Sequence, residues 1–172
     1  MLLNHKISLP TFCYYVFGQL LGSMLGAILV YLVYYPHFQK TSDSTSKLLT
    51  FCTKPAIKNK IWSFLCECIA SYILILGVIT ITSNNQLAIG LIPFILGVLI
   101  FSIGLSLGGP TGYAINPIRD FGPRLIHTLL PQFRKDSSDW DYAWIPIVAP
   151  LFGSTLAVYS YTILQHIQFM YE

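Results

Sequence analysis

The sequence predicts an all-α integral membrane protein: four membrane-spanning helices and one half-length helix that enters the bilayer without crossing it. Three observations carry this. Hydrophobic residues make up 54% of the 172-residue chain and charged residues only 10%, against about 25% charged in ordinary soluble domains. Long apolar runs recur along its whole length. Between two of them lies Gly108–Leu125, GGPTGYAINPIRDFGPRL, which is too polar and too broken by Gly and Pro to span.

Taken in order, residues 1–10 (MLLNHKISLP) lack a basic region followed by a cleavage site and do not read as a secretory leader. Residues 11–35 carry no charge, ample for a span of about 20 residues. Gly18, Gly22 and Gly26 recur every four positions, a small-residue stripe suited to close helix packing. Tyr31, Tyr34 and Tyr35 read as an interfacial belt. Residues 36–60 are a solvated loop with five lysines.

The second span, 61–82, is interrupted only by Glu67. A lone carboxylate inside a span is costly unless it is paired, so it marks a functional or structural site. The third span, 87–107, holds no charge and has Gly90, Gly97 and Gly104 as small positions. Residues 131–142 form a polar loop with Arg134, Lys135, Asp136, Asp139 and Asp141, and 143–169 are the last span. Pro146 and Pro150 fall in its first part, where missing N–H groups cost least.

Within 108–130, Gly108, Gly109, Pro110 and Gly112 suggest extended, closely packed backbone. Asn116 then Pro117 read as a helix start, because an Asn side chain accepts from the first free N–H groups and Pro forfeits an N–H that was orphaned anyway. Arg119, Asp120 and Arg124 would sit on the first turns. Ionisable groups and irregular backbone are tolerated at membrane depth only when buried in protein or lining a wet cavity. A pore or substrate site is therefore expected here, with a surface loop and helix as the competing reading.

Neither metal nor cofactor is expected. Cys13, Cys52, Cys66 and Cys68 read as packing groups, since Cys66 and Cys68 lie two apart and so face different ways on a helix. His5, His37, His127 and His166 are scattered, without metal-ligand spacing. An intramembrane enzyme using Glu67, Asp120 and a His is thereby disfavoured, and nothing points to nucleic acid.

Gly112, Ala114, Asn116, Pro117, Arg119, Asp120, Phe121, Gly122 and Pro123 together resemble the second Asn-Pro-Ala loop of the major intrinsic proteins, the aquaporin family, and its glycerol-conducting branch in particular. Ile118 stands where the family usually has Ala. VYLVYY (30–35) resembles the end of the family's third span, and APLFG (149–153) resembles part of its sixth. Five positions that separate glycerol from water channels read Tyr34, Asp120, Arg124, Pro150 and Leu151, all on the glycerol side.

The resemblance implies a passive channel in the cell membrane for glycerol and similar small polyols, not an enzyme, with homo-oligomers (tetramers in the family). Arg119 would donate to polyol hydroxyls at the constriction and Asn116 at mid-pore, with Asp120 beside them. Tyr113 would offer an aromatic wall and Gly104 would leave room. Glu67 and Pro117 would support the pore loop, Glu67 by accepting from its backbone.

Relative to six family spans, the chain looks like the carboxyl-terminal two-thirds, incomplete as a pore by itself or needing a companion chain. A non-conducting component packed through its glycine faces is the alternative. Family topology would also place nine of the ten Lys and Arg outside, against the positive-inside rule.

Overall fold

The computed structural model describes residues 7–131 and 136–171. His5, Lys6, Arg134 and Lys135 lie outside the described residues.

Helix α1 runs Leu9–Val33, with the Ser8 hydroxyl accepting from the Thr11 N–H and Pro10 in the first turn, a capped start of the kind both residues favour. Short helices α2 (Tyr35–Lys40) and α3 (Ser44–Leu49) follow, the latter capped by Asp43, which accepts from the Thr45 and Ser46 N–H groups. Helix α4 is Lys60–Thr82, started by the Asn59 side chain. A single 3-10 turn, Ile89–Leu91, leads into α5, Ile92–Thr111. Helix α6 is Pro117–Leu129, α7 is Trp140–Ala143 and α8 is Ile145–Tyr171.

Among the described residues, four segments are long and apolar enough to cross a membrane: Leu9–Val33, Lys60–Thr82, Ile89–Thr111 and Trp140–Gln168. At 1.5 Å per residue α6 is about 20 Å long, too short to cross about 30 Å of hydrocarbon.

The chain divides into two compact units. The first comprises the described residues within Met1–Lys54 and Asn116–Ile147. In it α6 packs on α1, and a Cβ added at Gly122 would come within 2.1 Å of the Ser23 hydroxyl, so any larger residue there must displace that hydroxyl. Its apolar core is Ala27, Tyr31, Phe38, Phe51 and Ile126, flanked by Met24, Ile28 and Leu130. The Tyr31 hydroxyl donates to the Pro131 carbonyl at 2.6 Å, closing the core under the loop that follows α6.

The second unit comprises Pro55–Ile115 and the described residues from Val148 onward. Here α4 packs on α5, with the Leu99 side chain over Gly77. Helix α8 approaches α4 so closely that a Cβ at Gly153 would lie 2.2 Å from the Cys68 carbonyl oxygen, and the Cys68 thiol donates to the Ala149 carbonyl.

Two local expectations change. The span expected to end at residue 107 continues as helix to Thr111, with Pro110 inside its last turn. The end of a helix tolerates this because its last carbonyls find other donors. Gly112 turns left-handed (φ 81°) and its N–H caps the Gly108 carbonyl, while the Pro110 carbonyl accepts from Ala56. The stripe of Gly18, Gly22 and Gly26 is also not a packing face among the described residues, since a Cβ at any of the three would meet none of them within 4 Å.

Candidate functional site

The segment between α5 and α6 is built on left-handed backbone. Gly112, Tyr113 and Ile115 all have positive φ, at 81°, 40° and 46°. For Tyr and Ile this is strained and persists only where the surroundings enforce it. Successive turns of this kind aim the backbone N–H groups of Ala114 and Ile115 in one direction, and Glu67 receives them. Its two carboxylate oxygens accept from the Ala114 N–H at 3.0 Å and the Ile115 N–H at 2.9 Å. Glu67 and Ala114 are both wholly buried. Nearby, the Thr111 hydroxyl donates to the Cys66 sulfur, and that thiol faces the Leu107 carbonyl, so the loop is tied to α4 on consecutive residues.

Tyr113 is placed by the same unit. A Cβ at Gly104 would stand 3.2 Å from its ring Cζ, and one at Gly108 would stand 2.9 Å from its Cδ1. The ring therefore lies across α5 where two glycines give it room. Replacing either would push it away.

In the first unit the chain continues at Asn116, whose extended backbone (φ −150°) and side-chain oxygen cap α6 by accepting from the Ile118 N–H at 2.9 Å. Pro117 is the first helical residue and gives up no usable donor. Arg119 is exposed on the first turn.

Asp120 and Arg124 turn inward and are both wholly buried. Arg124 Nε donates to Asp120 Oδ1 at 2.8 Å and Nη2 donates to Oδ2 at 3.0 Å. The remaining guanidinium protons go to backbone carbonyls: Nη2 to Thr53 at 2.7 Å, Nη1 to Ser138 at 2.6 Å and to Asp139 at 3.2 Å. Asp120 Oδ2 also accepts from the Thr53 N–H at 2.7 Å and hydroxyl at 2.6 Å. A guanidinium has five N–H donors, and all five are engaged. Arg124 has no donor left for a passing molecule, and Asp120 is buried beneath its partners. What they do instead is clamp the loop at Thr53 and the loop at Ser138 onto α6.

His127 and Thr128 extend the clamp, as both bond the Ser138 hydroxyl, at 2.8 and 3.0 Å. Burial pushes the Cys52 thiol up to about 12, so it is a neutral packing group under the same loop. Among the described residues, no three His, Cys, Asp or Glu side chains gather as metal ligands.

The five glycerol-branch positions are thus scattered in environment. Asp120 and Arg124 meet. Tyr34 is exposed at the end of α1, with its ring against His37 at 5.6 Å. In the second unit Pro150 is buried inside α8 and Leu151 is 56% exposed. Sequence reasoning missed Thr53 and Ser138, which carry no local signal. The Asp120–Arg124 pair did carry one, since carboxylate and guanidinium four residues apart on a helix are neighbours.

Residues 1–161 match the family model described as major intrinsic protein. The chain is 52% identical over 147 residues to a probable glycerol uptake facilitator protein of Thermotoga maritima, covering 86% of this chain and 62% of that protein. It is 47% identical over 141 residues to a glycerol uptake facilitator protein of Bacillus subtilis, covering 82% and 51%. Among solved structures, the aquaglyceroporin from Plasmodium falciparum is similar with a TM-score of 0.75 and 30% identity, over 89% of this chain and 64% of that one. The chain therefore spans between about half and just under two-thirds of the length of these relatives.

Proposed function

We propose that this chain, which belongs to the major intrinsic protein family, is a multi-pass channel polypeptide for the passive movement of glycerol and similar small uncharged polyols. The observation that carries the reading is the loop 111–119. It combines a strained, glutamate-held backbone with a capped half-helix, and curated relatives 52% and 47% identical are named glycerol uptake facilitators.

In the first unit, Arg119 would present guanidinium donors to polyol hydroxyls, replacing their hydration. Asn116 would add amide donors, since its oxygen is committed to the cap. The start of α6 adds a positive end of roughly half a charge, which disfavours protons and other cations. In the second unit the Tyr113 ring would face the carbon skeleton, and Gly104 sets where that ring lies. Glu67 would act as a brace, holding Ala114 and Ile115 and so the register of the loop entering α6. Asp120 would act through the clamp and not by contact. Nothing in this scheme makes or breaks a covalent bond. Assembly with further copies, as four-fold oligomers, belongs to the same proposal.

The test is glycerol entry into vesicles followed by light scattering, with the chain reconstituted as it stands and also joined to the remaining length of the Thermotoga relative. Expected is glycerol flux without ion leak in the joined form, abolished by Arg119→Trp. Equal flux in Arg119→Trp would overturn the assignment of Arg119. No flux in either form would favour a non-conducting membrane component.

A further inference from the structure

The loop after α1 holds a second polar site that the channel reading does not use. Two adjoining cavities, of about 370 and 260 Å³, share His37 and Thr41 in their walls. The larger is floored by Phe38 and rimmed by Tyr34, Ser46 and Thr50. The smaller adds Pro36 and Lys40. Lys47, almost wholly buried, forms part of the larger wall.

Their depth follows from the end of α1. Leu32 and Val33 are 60% and 73% exposed, apolar side chains turned outward on a segment read as spanning a membrane. Tyr34 and Tyr35 come next, residues that settle at the membrane–water boundary. His37, Lys40 and Thr41 follow Tyr34 within about two helical turns of chain, close to the boundary that the tyrosines mark.

The charge is one-sided. Residues 36–60 carry five lysines and one acid, Asp43. Asp43 is spent on its own helix, accepting from the Thr45 and Ser46 N–H groups and the Ser46 hydroxyl. Among the described residues no carboxylate lines either cavity, so no anionic side chain there would pair with the cation of a choline or ethanolamine headgroup. Lysine is a common phosphate binder, acting as a point charge, and hydroxyls supply the remaining donors.

We propose that these two cavities together form a binding site for the phosphate headgroup of an anionic phospholipid. The phosphate lies between Lys40, His37 and the hydroxyls of Tyr34 and Thr41, and the apolar floor at Phe38 takes the first carbons of the lipid. This goes beyond the channel reading and does not depend on it.

The experiment is native mass spectrometry of the full chain released from mixed phosphatidylglycerol and phosphatidylcholine nanodiscs. Wild type should retain phosphatidylglycerol in preference. Lys40→Ala should lower that preference by more than about fivefold, the diffuse weight of one lysine close to an anionic surface, and adding His37→Ala should lower it further. Lys58→Ala, in the same loop but outside both cavities, should lower it by no more than that diffuse weight. Equal losses in Lys58→Ala and Lys40→Ala would mean diffuse surface attraction and would overturn the site, as would equal retention of the two lipids by wild type. Stripping the retained lipid with inorganic phosphate alone, at millimolar concentration, would assign the cavities to a free anion instead and overturn the lipid reading.

Discussion

Glu67 and Asp120 are both wholly buried carboxylates, one in each unit, and they are neutralised by different means. Asp120 has a guanidinium against it and binds the Thr53 N–H and hydroxyl as well. Glu67 instead holds two backbone N–H groups from a left-handed turn. A buried charge costs several kcal/mol unless its geometry is well satisfied, and the two solutions have different consequences. The two charges of the ion pair can leave together, which removes the charge penalty but still strands the Thr53 N–H and the Thr53, Ser138 and Asp139 carbonyls. Glu67 has no opposite side-chain charge to leave with it, and its partners are main chain alone. The first is a charged clamp on two loops. The second holds the backbone of 114–115.

The largest effect should come from splitting the pair. Arg124→Met leaves Asp120 buried without its cation and two loops without their donor, and should destabilise by about 3–5 kcal/mol. Asp120→Leu in the same chain should recover only the part owed to the unpaired charge, since the Thr53 N–H and the Thr53 and Ser138 carbonyls still lack partners. Denaturant titration in mixed micelles would read both. A double variant no more stable than the single one would show that the clamp depends on charge at that point.

At Glu67 the order of variants is the test. Glu67→Leu leaves the Ala114 and Ile115 N–H groups unpaired, at about 1–3 kcal/mol each. Glu67→Gln keeps one acceptor and should lose roughly half as much. Unlike the pair in the first unit, no second side-chain substitution should rescue Glu67→Leu. Amide exchange at Ala114 and Ile115 would follow it directly, and unchanged protection in Glu67→Leu would remove the brace from the account.

A smaller contrast separates two glycines. Gly153→Ala forces a Cβ to within 2.2 Å of the Cys68 carbonyl, which backbone must move to relieve, at about 1–3 kcal/mol. Gly22→Ala meets nothing within 4 Å and should stabilise by about 0.5–1 kcal/mol through helix propensity. Melting temperatures of the two variants should move in opposite directions.

The smallest effect belongs to a third carboxylate, the exposed Asp43, which serves as the reference. Its hydrogen bonds to Ser46, side chain then backbone, hold it below the usual carboxylate range. A lowered folded value means that its contribution is present above the unfolded value of about 3.9 and is lost as pH falls through the folded one. Protection of the Thr45 and Ser46 amides should therefore fade on acidification below about pH 4. Asp43→Asn caps without titrating and should show no such fade.

How much of this was legible in the residues depends on how far apart the partners lie. The four spans, the loop polarity and the Asn116–Pro117 start rest on composition and near neighbours, and the chain alone determined them. A lone Glu in an apolar run announced a buried site for the same reason. Asp120 and Arg124 were readable as neighbours on one helix turn. Thr53 and Ser138 were not, since they sit 67 and 14 residues from their partners and any hydroxyl or carbonyl in a loop looks alike in sequence.

Glycine shows the limit most plainly. Gly22, Gly122 and Gly153 are the same residue in helices, yet one faces open space, one a side chain and one a carbonyl. The run from Gly108 to Thr111 has the local marks of extended chain and is helical, because Gly112 closes it and Ala56 takes the Pro110 carbonyl. Local preference amounts to about 1 kcal/mol for a glycine and about 3 for a proline in a helix interior, so cap bonds and packing contacts from distant segments can outweigh it. Those contacts exist only once the chain has folded, and that is why the tertiary structure decided them.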